Sequence, residues 1–143
     1  MQIREATLTD HDAIVAIDHV TRYDPNRVRF IDRILRSATC LVAERHGGVV
    51  AYAALDYTFF QRGFVPILYV AEPERRQGVG SALMQALASR CTTRELFTST
   101  NQSNRPMQQL LGTLGYVPSG VVHNLDPGDP ELFYMLDLGK RAV

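Results

Sequence analysis

The chain has 143 residues, with 15 basic and 15 acidic side chains, 45% hydrophobic residues and two cysteines. That balance fits one soluble domain and excludes an intrinsically disordered chain or a disulfide framework. A formal net charge of zero, with the arginines scattered apart from Arg75-Arg76, argues against a nucleic-acid binder. No apolar run reaches the ~20 residues that cross a bilayer, so no membrane partner is expected. Cys40 and Cys91 read as reduced thiols and the N-terminus has no apolar signal core, which together predict a cytoplasmic location.

Ile3 to Ala6 reads as a short strand. Thr9 and Asp12 have capping-box spacing and start a helix with Ile14, Ile17 and Val20 on its apolar side. After Pro25-Asn26, the recurrence of Val28, Ile31 and Leu35, widened by Phe30 and Ile34, predicts a second helix ending near Ser37. Cys40–Glu44 and Val49–Leu55 flank His46-Gly47-Gly48 as a hairpin. Phe64–Val70 is a third strand, in which Pro66 cannot donate a ladder hydrogen bond and predicts an interrupted, splayed pairing. Beyond Pro73 the period changes, and Val79, Leu83, Ala86 and Leu87 mark a helix to about Arg90. Leu96–Thr100 is a strand. Asn104 caps a helix with Pro106 in its first turn, apolar residues at Met107, Leu110, Leu111 and Leu114, and Gly115 as its stop. Two further strands, Val117–Leu125 and Leu132–Leu138, flank a turn-rich Asp126–Pro130. The order β-α-α-β-β-β-α-β-α-β-β predicts a mixed α/β layer fold in a single domain over residues 1–143.

The chemistry-bearing segment is Glu72–Ser81, between an apolar strand and an amphipathic helix. Glycines there let backbone approach a ligand, and the open N–H groups of a helix start favour a phosphate. The arginines add charge-assisted donors. A tight turn with two solvated arginines is the plainer alternative. A Walker A loop would need Gly-Lys-Ser/Thr, which is missing, and a dinucleotide fingerprint would need a third glycine where Leu83 stands.

The segment resembles the acyl-CoA loop of the GNAT superfamily of N-acyltransferases, whose pattern Arg/Gln-x-x-Gly-x-Gly/Ala is matched by Arg75, Gly78 and Gly80. The resemblance is close over Phe64–Val117 and loose over the whole chain. It implies a central mixed sheet splayed after the strand near Leu68, and an acetyl-CoA-dependent N-acetyltransferase acting directly on a primary amine of a small molecule or peptide. It places the acetyl-pantetheine arm along backbone groups of Leu68, Tyr69 and Val70. The pyrophosphate falls within Arg75, Arg76, Gln77, Gly78, Val79, Gly80 and Ser81. Asn104, otherwise a plain N-cap, matches a family asparagine that contacts the pantetheine. Sheet-mediated dimers are common in the family, which admits a homodimer here.

An amine with a pKa near ~10.4 is neutral in only about one molecule in 10³ at pH 7, so a base or water relay must recover roughly 4 kcal/mol. The Val70 N–H is the resemblance-based donor to the thioester carbonyl. Leu111 stands where many family members have a tyrosine acid, and Pro66 lies where some have a glutamate base, which opens the alternative of a non-catalytic acyl-CoA-binding or regulatory module. A different phosphate-binding domain is a third reading. Tyr69, Asp56 and Tyr57, the last two at the end of the hairpin strand, are substitute catalytic candidates beside their ordinary roles in packing and at strand ends. His123 on a strand and the hydroxyls of Ser99 and Thr100 are further options. Phe59 and Phe60 suit an apolar lip or a subunit contact. The histidines at 11, 19, 46 and 123 do not pair at metal-ligand spacing, so no metal is expected. Cys91 reads as a buried cysteine without a catalytic partner.

Overall fold

A computed structural model describes residues 1–140; the last three residues of the predicted domain, 141–143, lie outside the described residues. The strands are β1 (Gln2–Glu5), β2 (Thr39–Arg45), β3 (Gly48–Phe59), β4 (Arg62–Val70), β5 (Glu95–Asn101), β6 (Val117–Val122) and β7 (Glu131–Asp137). The helices are α1 (His11–Ile17), α2 (Pro25–Ser37), α3 (Val79–Arg90) and α4 (Arg105–Thr113), so the elements follow in the predicted order. The fold is a mixed α/β one with a mixed sheet and flanking helices. Two compact units divide it: Met1–Asp56 with Ile67–Arg90, and Tyr57–Pro66 with the chain from Cys91 onward.

In the first unit the strand order is β1-β2-β3-β4. β1 and β2 pair antiparallel, as do β2 and β3, with Val42 opposite Tyr52. The β2–β3 turn uses left-handed backbone at His46 (φ 55°) and Gly47 (φ 79°), which matches the twist of the strands it joins. Ile14, Ile31 and Ile34 of α1 and α2 pack with Cys40, Val42, Tyr52 and Ala54. The alternate strand residues Leu41, Ala43, Ala51, Ala53 and Leu55 are buried as well, and α3, which contacts β1 and β2, buries Val79, Leu83, Met84 and Leu87. Burial on both faces explains why these strands read as apolar runs without alternation. Cys40 belongs to this core, where burial pushes its thiol up to about 12 and makes it inert.

The start of the first helix departs from the Thr9–Asp12 reading. The chain enters a short 3₁₀ turn at Leu8–Asp10, and the Asp10 carboxylate accepts from the Thr7 N–H at 2.8 Å. Asp10 wins because Arg4 on β1 grips both its oxygens, at 2.9 and 2.8 Å, and also bonds Glu44, whereas Asp12 is fully exposed. α1 stops at Ile17, and Val20 lies in a second 3₁₀ turn, His19–Arg22, begun by Asp18.

In the second unit the order is β3-β4-β5-β7-β6. β4 and β5 are parallel over Gly63–Val65 and Leu96–Thr98; the register stops before Pro66, as the missing N–H requires. A side chain at Gly63 would meet Cys91 Sγ at 2.4 Å, so any larger residue there must displace the Cys91 side chain. Cys91 is half-buried rather than buried, with its sulfur beside Thr93. Phe59 packs against Phe64, Phe97 and Phe133 at ring separations of 5.0–5.5 Å, while Phe60 is largely exposed. On α4 the Asn104 side chain accepts from the Met107 N–H at 3.2 Å, Leu111 is wholly buried, and Gly115 turns the chain with φ 93°. β6 ends at Val122, short of the predicted Leu125, which leaves His123 exposed past the strand.

The Arg4 hydrogen bonds, with the Thr7 amide adding to them, hold the Asp10 carboxyl below the usual carboxylate range. A lowered folded-state value contributes stability that is complete above the unfolded carboxylate's value of about 3.9 and is lost as pH falls through the folded one. Asp10→Asn is therefore expected to lower the urea midpoint at pH 7 and to narrow the gap between the pH 7 and pH 3 midpoints. Urea unfolding of both proteins at the two pH values checks this.

Candidate active site

After β4 ends at Val70, the Ala71 N–H donates to Val50 O at 2.8 Å, and Glu72–Glu74 forms a 3₁₀ turn around Pro73. Arg75 is extended; Arg76 (φ 64°) and Gly78 (φ 82°) are left-handed. α3 then begins with Val79, whose side chain is buried and anchors the helix start. The Ala82 N–H donates to Gly78 O at 3.1 Å, so the amides of Val79, Gly80 and Ser81 are those that precede intrahelical bonding. Nothing lies within 4 Å of where a Gly78 side chain would begin. The loop thus presents open backbone donors and the positive end of a helix dipole, an arrangement suited to an anion.

The loop is braced from the β2–β3 turn. Arg45 donates to Gln77 Oε1 at 2.7 Å and pairs with Glu74 at 3.3 Å, and Gln77 Nε2 reaches Pro73 O at 3.3 Å. Arg75 Nε donates to Val70 O at 2.8 Å, and its guanidinium lies 5.4 Å from the Tyr69 ring centroid. Gln77 and Arg75 therefore use their side chains to shape the loop and the end of β4. Arg76 extends into solvent.

Leu68, Tyr69 and Val70 are half-buried on β4. The Tyr69 hydroxyl lies 2.5 Å from His19 Nδ1 and 3.3 Å from the His19 backbone N–H. Beneath it, Tyr52 stacks at 6.2 Å between centroids and donates its own hydroxyl to Asp18. Asp18 is fully buried; it also accepts from the Val20 N–H at 3.0 Å and pairs with Arg27 at 3.3 Å. Burial, with the neighbouring Asp18 carboxylate, pushes the Tyr52 phenol far up, so it stays protonated and donates. The structure thus brings Tyr69, Val70 and Arg75 together and adds His19. Nothing local in the sequence marks His19 for this pairing, because 50 residues separate it from Tyr69.

Asp56 and Tyr57 lie within β3, which runs on to Phe59, and are not strand-end groups. Asp56 is half-buried; the Tyr57 hydroxyl accepts from the Thr92 N–H at 3.1 Å. Ser99 donates to Glu131 at 2.7 Å and Thr100 is buried. Asn104 serves as an N-cap on α4. Among the described residues no three His, Cys, Asp or Glu side chains gather as a metal site. No helix among them is long and apolar enough to cross a membrane.

Residues 4–116 match the acetyltransferase (GNAT) family. An N-alpha-acetyltransferase from Sulfurisphaera tokodaii is 30% identical over an alignment covering 80% of this chain and 79% of that protein. The chain belongs to the acetyltransferase (GNAT) family. A GNAT-family acetyltransferase from Bacillus cereus ATCC 10987 superimposes with a TM-score of 0.88 at 30% identity, over 95% of this chain and 96% of that one. The yncA protein of Salmonella typhimurium, solved with its cofactor acetyl-CoA, shares the fold with a TM-score of 0.78 at 23% identity, over 99% and 96% of the two chains.

Removing the Tyr52 hydroxyl withdraws a donor from a buried carboxylate. Tyr52→Phe is expected to cost about 2 kcal/mol, in line with hydrogen bonds to charged groups, and urea unfolding measures it.

Proposed function

We propose that the protein is an acetyl-CoA-dependent N-acetyltransferase that passes an acetyl group directly to a primary amine of a small molecule or peptide. The observation that carries this reading is the β4–α3 turn, where left-handed Arg76 and Gly78 open the start of α3 within a GNAT fold. The loop fits a diphosphate: it offers the amides of residues 79–81, the exposed Arg76 guanidinium, and open space beside Gly78. Acetyl-CoA bound there supplies the acetyl group as an activated thioester. In this reading Leu68, Tyr69 and Val70 line the pantetheine arm, and the Val70 N–H is the donor to the thioester carbonyl.

The yncA structure, solved with acetyl-CoA, supports the cofactor class. The Sulfurisphaera relative's name, N-alpha-acetyltransferase, favours a peptide N-terminus among amine acceptors. Leu111 is core, so no acid comes from the tyrosine position on α4; a thiol with a pKa near ~8.5 leaves as its anion at modest cost.

Calorimetric titration tests the cofactor reading. Acetyl-CoA is expected to bind stoichiometrically, with ATP and NAD weak or absent. Gly80→Trp is expected to abolish acetyl-CoA binding while circular dichroism stays unchanged. Equal binding by that variant contradicts the loop assignment.

A further inference from the structure

We infer that His19 is the proton acceptor for the amine substrate, working through the Tyr69 hydroxyl. This assignment rests on the acetyl-transfer reading above and adds to it the base that the sequence lacked. A phenol has one proton to give and two lone pairs to accept with. The Tyr69 oxygen accepts from the His19 backbone N–H at 3.3 Å. Assigning its own proton to the bond with His19 Nδ1, 2.5 Å away, puts the imidazole proton on Nε2. One lone pair of the Tyr69 oxygen remains for an ammonium donor. The direction of transfer is thereby set: amine to Tyr69, Tyr69 to His19, and His19, which is exposed, to solvent.

The surroundings hold the pair without competing for the proton. The Asp18 carboxylate, one residue before His19, is engaged by Tyr52, the Val20 amide and Arg27. Tyr52 stacks on the Tyr69 ring, Arg75 covers that ring at 5.4 Å, and the Tyr23 ring lies 6.3 Å from the His19 ring. Among the described residues, these titratable and charged groups surround the pair from β3, α2, the turn around His19 and the β4–α3 loop.

The substrate ammonium gives one proton to the Tyr69 oxygen as the phenolic proton passes to Nδ1, leaving a neutral amine and an imidazolium. The amine nitrogen then forms a bond to the acetyl carbon and the carbon–sulfur bond breaks. The second nitrogen proton leaves with the thiolate as thiol, and the imidazolium returns its proton to water. General-base assistance of this kind is worth about 10²–10⁴ in rate.

Three measurements on wild type, His19→Gln and Tyr69→Phe test the assignment. In ligand-free wild type, nitrogen NMR of the histidine rings is expected to show His19 Nδ1 unprotonated and Nε2 protonated, with the Nδ1 signal shifted in Tyr69→Phe. Calorimetry is expected to give acetyl-CoA affinities within twofold for wild type and His19→Gln. With a panel of short peptides bearing free N-termini and simple primary amines, His19→Gln is expected to lower kcat at least 100-fold and to lose the acidic limb of the pH–kcat/KM profile. Tyr69→Phe is expected to follow it. A protonated Nδ1, or a His19→Gln variant with wild-type kcat and an intact acidic limb, overturns the assignment. So does a wild type that binds acetyl-CoA yet acetylates no member of the panel, whereas a wild type that fails to bind acetyl-CoA overturns the underlying reading instead.

Discussion

Two left-handed residues, Arg76 and Gly78, set the direction in which the chain leaves β4 and enters α3, and the proposed cofactor site depends on them. Gly78 adopts this conformation without steric cost, whereas Arg76 carries a penalty of about 1–2 kcal/mol that its neighbours must offset. The bonds from Arg45 to Glu74 and Gln77 and from Arg75 to Val70 O supply that support. With the turn held, Val79 buries its side chain and the next amides are left open at the helix start. Strain stored in a loop and braced from outside is a common way to preorganise a binding site.

The second organising feature is the buried Asp18 carboxylate. A charge without solvent is tolerated only when its lone pairs are filled, and here Tyr52, Arg27 and the Val20 amide fill them. The same residue ends α1 and starts the 3₁₀ turn that carries His19. Tyr52, fixed from below by Asp18, in turn supports the Tyr69 ring. A structural network in the core thus sets the position of a polar pair at its edge.

The element order, the α2 and α4 helices and the β4–α3 loop were legible in the sequence because each carries its own signal within about ten residues: a period, a cap or a glycine pattern. Pro66 announced the end of the β4–β5 register by chemistry alone, through its missing N–H. Features set by distant partners were not legible. The true start of the first helix turn depends on Arg4 reaching Asp10, so the nearer Thr9–Asp12 spacing misled. β3 extends to Phe59 because its turn uses Phe60 and Gln61 in left-handed conformations, residues that do not advertise a turn. His19 and Tyr69 meet only through the fold.

Backbone-amide NMR during an acetyl-CoA titration is the direct test of the β4–α3 loop as the cofactor site, since it reports where the diphosphate sits. The loop assignment predicts that the largest shifts fall on the amides of residues 77–81 and that inorganic pyrophosphate perturbs the same amides. Saturable binding that leaves those amides unmoved, with the shifts concentrated elsewhere in the chain, would contradict it.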